Sequence, residues 1–555
     1  MDGFKVKNLE QRRERLLEQF PVWEPMTIWE RFEEAAGKWG DNCLIADGDR
    51  AFTYREEEKR GLLAAGAFKR LGVKPKDRVA LCMGNREEFV PITLGLARLG
   101  AVKVPLNRRA GLDEIRYILN QAGAQILILE DGAGGCTLKE LEALAGIQRM
   151  ICLDGKTAGG KALSWEDFLA LGQGAQTKEH GDAGAVSDLI YTSGSTGKPK
   201  GVPLTHDALL RSAFAGCLNR GFEPGWRIYV PLPLFHVYGY VEGLLASLFV
   251  GGGLVVTRGK FKAGDALAAM NRWQVTDILS VPLIMMKLLG EPGLSERPVK
   301  SLKAVYCSAS VCPKWVWEDI RRVFRVDEVI TGYGMTEVCG ASMQTDPADG
   351  DEILKSRVGR ILSGGPAGMD LPGRPVIEYR VIDGETGKDM PPGVYGELIC
   401  RGPIVAEGYY HMPKLAGGCA EGWFHTGDIG YFDEKGYLRL LGRCNDIYKI
   451  NGENVSPQFL DKVISRCQGV AAVETVGVHD ERAGWVGAAF VELKAGTAPQ
   501  AVKDYCFENL APYQAPKYFF FGDSGDWPRT STGKVQKFKL RERAEELIKE
   551  GYGGI

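Results

Sequence analysis

From Arg78 onward, short apolar runs alternate with longer amphipathic stretches. Val79-Ala-Leu-Cys-Met83 reads as a buried strand, Glu87 to Leu99 as a helix, and Ala101-Val-Lys-Val-Pro105 as a second strand. Leu112 to Gln121 follows as a helix and Ala124 to Leu129 as a strand. The alternation returns between Arg227 and Ile330, with strands near Ile228 to Val230, Gly253 to Thr257, Asp277 to Val281 and Ala304 to Ser308. Strands that alternate with helices predict an α/β fold of parallel-type sheets covered by helices. Ahead of it, residues 1 to 27 carry Arg and Glu at helical spacing, a polar helical lead-in.

The texture changes near Gly373. Val376 to Val381, Gly396 to Cys400 and Tyr437 to Leu441 are short strands separated by Gly, Pro and Asp turns, which predicts a small antiparallel, barrel-like subdomain. A boundary follows at Gly442 to Asp446. Beyond it come a helix (Pro457 to Cys467), two strands (Ala472 to Val478, Gly487 to Leu493), a helix (Ala498 to Asn509), a strand (Lys517 to Phe521) and a basic helix (Lys537 to Lys549). That pattern predicts a compact α+β unit. At 555 residues the chain is too long for one core, so two or three domains are expected.

Charge narrows the function classes. The 69 basic and 71 acidic residues leave a net charge of −2, with no electrostatic footprint for nucleic acid or an anionic membrane. No charge-free apolar run reaches the roughly 18 to 20 residues that span a bilayer. Met1-Asp-Gly-Phe-Lys-Val lacks the basic-then-apolar order of a secretory signal, and Gly551-Tyr-Gly-Gly-Ile555 is not a peroxisomal address. The 13 cysteines are scattered without metal-finger spacing, Cys307 and Cys312 being the nearest pair, and the 6 histidines are dispersed. Reduced thiols, a cytoplasmic location and no zinc site are the expectation.

The stretch Tyr191-Thr-Ser-Gly-Ser-Thr-Gly-Lys-Pro-Lys-Gly201 carries the candidate chemistry. Apart from Pro199 it holds only hydroxyl residues, glycines and lysines, with no carboxylate. Glycines let backbone N–H groups point inward, Ser193, Ser195 and Thr196 add donors, and Lys198 and Lys200 add charge, a combination suited to polyphosphate oxygens. It is not a Walker A loop, because Thr192 and Pro199 stand where that motif needs Gly and Ser/Thr. A flexible linker would need only the Ser/Gly content, but the apolar Leu189-Ile190 leads in and Val202 follows.

Three further stretches follow in order: Gly332-Tyr-Gly-Met-Thr-Glu337, then Gly422-Trp-Phe-His-Thr-Gly-Asp428 with Gly442-Arg443, then Pro528-Arg-Thr-Ser-Thr-Gly-Lys534. Together the four motifs resemble those of the adenylate-forming enzymes, which include acyl-CoA synthetases, plant phenylpropanoid-CoA ligases, firefly luciferase and the adenylation domains of peptide synthetases. The likeness is greatest to acyl-CoA ligases and runs from about residue 28 to 545. It implies a large N-terminal domain over 1–442, a hinge at 443–446 with Asn445 as pivot, and a small mobile domain over 447–555. It also implies a two-step reaction: a carboxylate attacks the α-phosphorus of ATP to give acyl-AMP and pyrophosphate, and the thiol of coenzyme A then takes the acyl group.

By that resemblance, Thr192, Ser193, Gly194, Ser195, Thr196, Gly197, Lys198 and Lys200 hold phosphates, and Ser308, Ala309, Ser310, Gly332, Tyr333, Gly334 and Met335 line the nucleotide site. Tyr333 offers its ring to adenine, Thr336 donates to the α-phosphate, and Glu337 ligates Mg²⁺. Asp428 accepts the two ribose hydroxyls, Arg443 approaches ribose and phosphate, and Lys534 bridges the substrate carboxylate and the α-phosphate. Lys449 and Gly452 line the coenzyme A path, with Ile450-Asn451 in place of the commoner Arg-Gly, and Asn445 replaces the usual Asp or Lys.

His236 matches an aromatic gate between nucleotide and acyl sites. Domains for α-amino acids place Asp near this position, so amino-acid activation is disfavoured. The expected acyl wall takes in Tyr238, Gly239, Gly243, Val281, Ser308, Gly334, Val338, Cys339 and Gly340, with no formal charge and with glycines that give depth. It fits an apolar monocarboxylic acid: a fatty, alicyclic or aromatic one. Two rivals stay open, a ligase that passes the acyl group to a carrier-protein thiol and a nucleotide-binding homologue without catalysis. The oligomeric state is open too, a homodimer included.

Overall fold

The computed structural model describes residues 6–552 except 145, 156–160, 179, 193–197, 295–297, 310–311, 385, 413–418, 421, 445, 451–452, 481–483 and 530–533. Its centre is a pair of seven-stranded sheets. One runs Ala162–Ser164, Arg149–Cys152, Ile126–Leu129, Arg78–Cys82, Val102–Leu106, Val186–Thr192, Lys200–Thr205 in spatial order. The other runs Glu328–Ile330, Ala304–Cys307, Asp277–Ser280, Arg227–Tyr229, Gly253–Val256, Cys43–Asp47, Arg50–Thr53. Each is parallel except for its last strand.

Alternate residues of the buried strands serve different cores, as a period of two requires. Val79 and Leu81 point into a central core that also holds Ile228, Val230 and Leu254 of the second sheet, and Ala80 and Cys82 point outward into a separate one. Tyr229, Ile278 and Val305 face a third, covered by the helices Ala263–Arg272, Pro282–Leu289 and Lys314–Phe324. The result is helices outside, two sheets, and a helical layer between them. Phe89–Leu99 in that middle layer is apolar nearly all round because it has no solvent face. It crosses the helix Tyr54–Arg70 at small residues: a Cβ on Gly95 would lie 2.9 Å from Ala64 Cβ.

The predicted strands and helices between Arg78 and Ile330 are all present, with ends shifted by a residue or two. The lead-in differs. Among its described residues only Leu9–Gln19 is helical. Pro21 and Pro25 interrupt the pattern, and Thr27 starts a fresh helix (Ile28–Trp39) with a capping box to Glu30.

Glu378–Ile382, Gly396–Arg401, Cys419–Ala420, Trp423–Phe432 and Leu438–Arg443 form the antiparallel sheet. After it, Val470–Asp480, Gly484–Leu493 and Tyr518–Phe521 make a three-stranded sheet with helices Pro457–Ile464, Pro499–Asn509 and Lys537–Lys549, on two small cores of its own.

Asp188, on the strand that leads to the Ser/Gly/Lys loop, is fully buried beside Lys103 on the neighbouring strand. The ammonium lies 3.1 Å from Oδ1, closer to an ion pair by distance than to an aligned hydrogen bond. It also donates to Thr93 (3.0 Å) and sits 3.7 Å from the centre of the Tyr240 ring. Burial lowers the Lys103 pKa and Asp188 opposes that. Removing one partner of such a pair strands a buried charge. Lys103→Met is therefore expected to cost roughly 3 to 5 kcal/mol, and Lys103→Met with Asp188→Leu should recover most of it. Urea unfolding followed by tryptophan fluorescence measures both, and equal losses in the single and double variants would contradict the account.

Candidate functional site

The segments singled out by sequence converge where the two large sheets meet the antiparallel sheet. The loop after Thr192 joins two antiparallel strands, with Thr192 opposite Lys200 and Tyr191 opposite Gly201. No helix starts at its end, so no helix dipole adds to its charge. Of its expected donors, Thr192, Lys198 and Lys200 are described, while Ser193, Gly194, Ser195, Thr196 and Gly197 lie outside the described residues.

Gly332–Met335 is a strand paired with Gly340–Gln344, and Thr336–Val338 is a single 3₁₀ turn after it. Thr336 and Glu337 are both buried. Ser308 stitches this strand to the second sheet: its Oγ donates to the Gly332 carbonyl at 2.6 Å and its N–H to that of Ser280. Next to it, Ala309 holds φ 75°, a left-handed backbone that alanine rarely adopts, while Ser310 is not described.

Asp428 is the junction. The Tyr333 hydroxyl donates to its Oδ2 at 2.6 Å and Arg443 Nε lies 2.8 Å from Oδ1. Both carboxylate oxygens thus already hold a protein donor, and a further pair of hydroxyls would have to use their second lone pairs. Asp428 and Arg443 are direct partners in the ladder between Trp423–Phe432 and Leu438–Arg443. Arg443 Nη1 also donates to the Thr426 carbonyl at 3.1 Å. Burial works against the Arg443 charge, but Asp428, Tyr333, Glu337 and Asp446 outweigh it and raise its pKa.

Lys534 belongs to the small C-terminal unit, yet it lies within Coulombic reach of Arg443, Asp428 and Asp446. Its side chain keeps access to solvent while protein surrounds it on most sides, as in a cleft open at one face. That burial and then Arg443 lower its pKa.

His236 caps one turn of helix ahead of Tyr238 and Gly239. Its Nδ1 is buried and has no hydrogen-bond partner among the described residues, and burial pushes its pKa down to about 4. Tyr238 donates to the carbonyls of Ser280 and Tyr306 at 3.2 and 3.1 Å, so its hydroxyl is spent inside the wall.

The glycines expected to deepen the acyl site do something else. A Cβ would meet the Gly340 carbonyl oxygen at 1.8 Å on Gly334, the Pro233 carbonyl oxygen at 2.9 Å on Gly239, and Leu254 and Val230 on Gly243. These positions are small because other atoms already fill the space. Gly340 alone of the four keeps room, its nearest neighbour being the Val237 carbonyl oxygen at 3.8 Å. Val338 and Cys339 are wholly buried in the central core, and Val281 joins the same core from its place just ahead of the helix Pro282–Leu289. Lys449 lies on the short strand Tyr448–Ile450, and Gly452 and Asn445 fall outside the described residues.

Two residues that the sequence reading passed over shape the site. Asn85 follows the strand Arg78–Cys82 and holds the segment leading to His236: its Nδ2 donates to the carbonyls of Val230 and Leu232, and its Oδ1 accepts from Leu234 N–H. Tyr409 donates to Glu337 Oε1 at 2.8 Å. Asn85 could have been suspected, since ligands in open α/β sheets gather at the carboxyl ends of strands. Among the described residues the carboxylates spaced for a metal, Asp47, Glu87 and Glu88, lie elsewhere and are matched by Arg50, Arg86 and Arg258.

Residues 32–410 match the model of the AMP-binding enzyme family, and residues 460–534 match that of the AMP-binding enzyme C-terminal domain. The chain belongs to this family of adenylate-forming enzymes. Over 514 residues it is 33% identical to the 3-[(3aS,4S,7aS)-7a-methyl-1,5-dioxo-octahydro-1H-inden-4-yl]propanoyl:CoA ligase of Mycobacterium tuberculosis, covering 90% of this chain and 95% of that one. It is 31% identical to the fatty acid–[acyl-carrier-protein] ligase ScoC of Streptomyces coeruleorubidus, covering 90% and 93%. Among solved structures, the o-succinylbenzoate coenzyme A synthetase (MenE) of Bacillus subtilis in complex with ATP and magnesium ion matches with a TM-score of 0.77 at 26% identity, covering 92% of this chain and 98% of that one. This AMP-binding enzyme has no described helix long and apolar enough to cross a membrane.

His236 is expected to stay neutral at physiological pH. A histidine whose folded pKa is depressed from 6.5 to about 4 stabilises the fold above 6.5, and that stability is lost as pH falls toward 4. His236→Phe should therefore gain thermal stability relative to the parent as pH falls from 6.5 to 4. Paired melting midpoints across that range provide the check, and a constant gap would show that the imidazole does not titrate as described.

Proposed function

We propose that this enzyme is an ATP- and Mg²⁺-dependent acid–CoA ligase for an apolar monocarboxylic acid. The supporting observation is the convergence of Tyr333, Glu337, Asp428, Arg443 and Lys534 on one cleft. On this reading the substrate carboxylate oxygen attacks the α-phosphorus of ATP, the bond to the bridging oxygen breaks, and pyrophosphate leaves. The thiol of coenzyme A then adds to the acyl carbon and AMP leaves with the electron pair.

Each residue has a task that its surroundings suit. Tyr333, pinned through its hydroxyl, presents a fixed ring to adenine. Asp428 and Arg443 face the ribose. Thr336 and the lysines Lys198 and Lys200 face the phosphates, where fixed donors replace water around developing charge. Glu337 is a hard oxygen ligand whose Oε2 takes no hydrogen bond among the described residues, so the donor set fits Mg²⁺. The ion, when bound, neutralises phosphate charge. Lys534 bridges the carboxylate and the α-phosphate, and its lowered pKa sets an alkaline limit on that role.

The acyl side is uncharged: Tyr238, Val281 and Gly340 with neutral His236. That supports an apolar acid and gives no partner for a substrate ammonium. For the second half-reaction we place the pivot of the small domain at 443–446, with Asn445 at its centre, and the coenzyme A path along Lys449 and Gly452. The similarity to a ligase named for an acyl-carrier-protein acceptor keeps a carrier thiol as the second reading. Discharge of the isolated adenylate by coenzyme A or by a carrier protein separates the two, and a panel of carboxylic acids read by AMP release identifies the acid.

Lys534→Ala should slow adenylation about 10²- to 10³-fold, roughly 3 to 4 kcal/mol of transition-state stabilisation, while thioester formation from supplied acyl-AMP changes far less. Equal loss in both steps would refute its role. Asn445→Pro should fix φ near −65° at the pivot and damage one half-reaction more than the other. Wild-type rates of pyrophosphate exchange and adenylate discharge in that variant would move the pivot elsewhere, to Asp446 first.

A further inference from the structure

The segment after the strand Gly396–Arg401 ties two parts of the cleft together. Ala406 N–H donates to the Glu337 carbonyl and Tyr410 N–H to the Gly201 carbonyl, each at 2.8 Å. Gln121 Nε2 donates to the Tyr410 carbonyl at 3.3 Å, and the Tyr191 hydroxyl is hydrogen-bonded to Gln121. The segment is thus pinned on one side to the turn that carries Glu337 and on the other to the strand pair that carries Lys200. Between those pins stands Tyr409. Its hydroxyl donates to Glu337 Oε1 at 2.8 Å, Lys200 Nζ lies 4.9 Å from the centre of its ring, and Phe424 packs edge-on against that ring.

We propose that Tyr409 is a positioning residue that keeps Lys200 and Glu337 oriented and apart. The inference rests on the reading of Glu337 as a metal ligand and Lys200 as a phosphate ligand. A lysine and a glutamate lining one cleft would pair if left alone, and the pair would cancel the two charges that a metal–polyphosphate ligand needs. Among the described residues no ion pair joins them. The neutral phenol holds each by a different face: the hydroxyl donates to the carboxylate and the π surface attracts the ammonium. Neither contact neutralises its partner. The hydrogen bond also fixes the carboxylate by one oxygen and leaves the other to face the cleft. An arginine or lysine in the same place would hold Glu337 just as firmly but would remove its charge.

Tyr409→Phe keeps the ring and deletes the hydrogen bond. It should weaken binding of Mn²⁺, used as a paramagnetic stand-in for Mg²⁺, to the complex with a non-hydrolysable ATP analogue by about tenfold, as expected for a hydrogen bond to a charged group. Electron paramagnetic resonance of free Mn²⁺ reads this without turnover. The KM for ATP at saturating metal should move less than about threefold, since the ring still holds Lys200. Tyr409→Leu removes both contacts and should raise that KM as well. Unchanged Mn²⁺ affinity in Tyr409→Phe would overturn the proposal, as would equal weakening of metal and ATP together with a lowered melting midpoint, the mark of a general structural role. A parent protein that binds no Mn²⁺–nucleotide would also overturn it. Failure of every acid tested with coenzyme A would count against the proposed activity and leave the metal titration standing.

Discussion

A carboxylate that three separate pieces of chain must share governs this site. Asp428 sits on one antiparallel sheet, Tyr333 reaches it from the strand Gly332–Met335 of a separate small antiparallel sheet, and Arg443 is the last residue of the strand through which the chain leaves for its C-terminal unit. A buried anion needs donors, and here the donors come from elements more than 90 residues apart in sequence. Satisfying one carboxylate therefore ties the strand that carries Tyr333 to the start of the small unit. Lys534, in the last motif of the chain, feels both members of the pair through space: Arg443 opposes its charge and Asp428 favours it.

The large sheets are built to hold these segments still. Their strands are covered on both faces, and the carboxyl ends that carry Ser308 and the run to His236 are cross-braced by carbonyl contacts from Ser308, Tyr238 and Asn85. The left-handed Ala309 and the Nδ1 of His236, without a hydrogen-bond partner among the described residues, are local costs that such a frame can hold in place.

Much of this was legible in the residue pattern. Strands buried on both faces read as uninterrupted apolar runs, so Arg78–Cys82 and Ala304–Cys307 lie where such runs lie. The helix Lys537–Lys549 was readable at both ends because its amphipathic period is regular. Other features have no local signature. Arg50–Thr53 is a strand only because Cys43–Asp47 lies beside it. Glu87 and Glu88 look like the first turn of a helix, but the helix begins at Phe89 with Glu88 as its cap, and their side chains pair with Arg258 and Arg86. Glycine marks lack of room as readily as room, and only the fold separates Gly334, pressed on Gly340, from a glycine that lines a pocket. Tyr409 sits in a connecting segment whose partners come from far along the chain, beyond any spacing rule.

The placement of Lys200 on a strand has one more consequence. Lys200, Val202 and Leu204 share a face by the two-residue period, and Val202 and Leu204 fill the central core. One extra residue inserted between Lys200 and Val202 would turn the lysine to the opposite side of the sheet while the core kept its register. Length variation on the far side of Lys200, toward Thr192, carries no such penalty. Evolution can therefore lengthen or shorten this loop from one end only, and the ammonium marks the point at which counting must be kept.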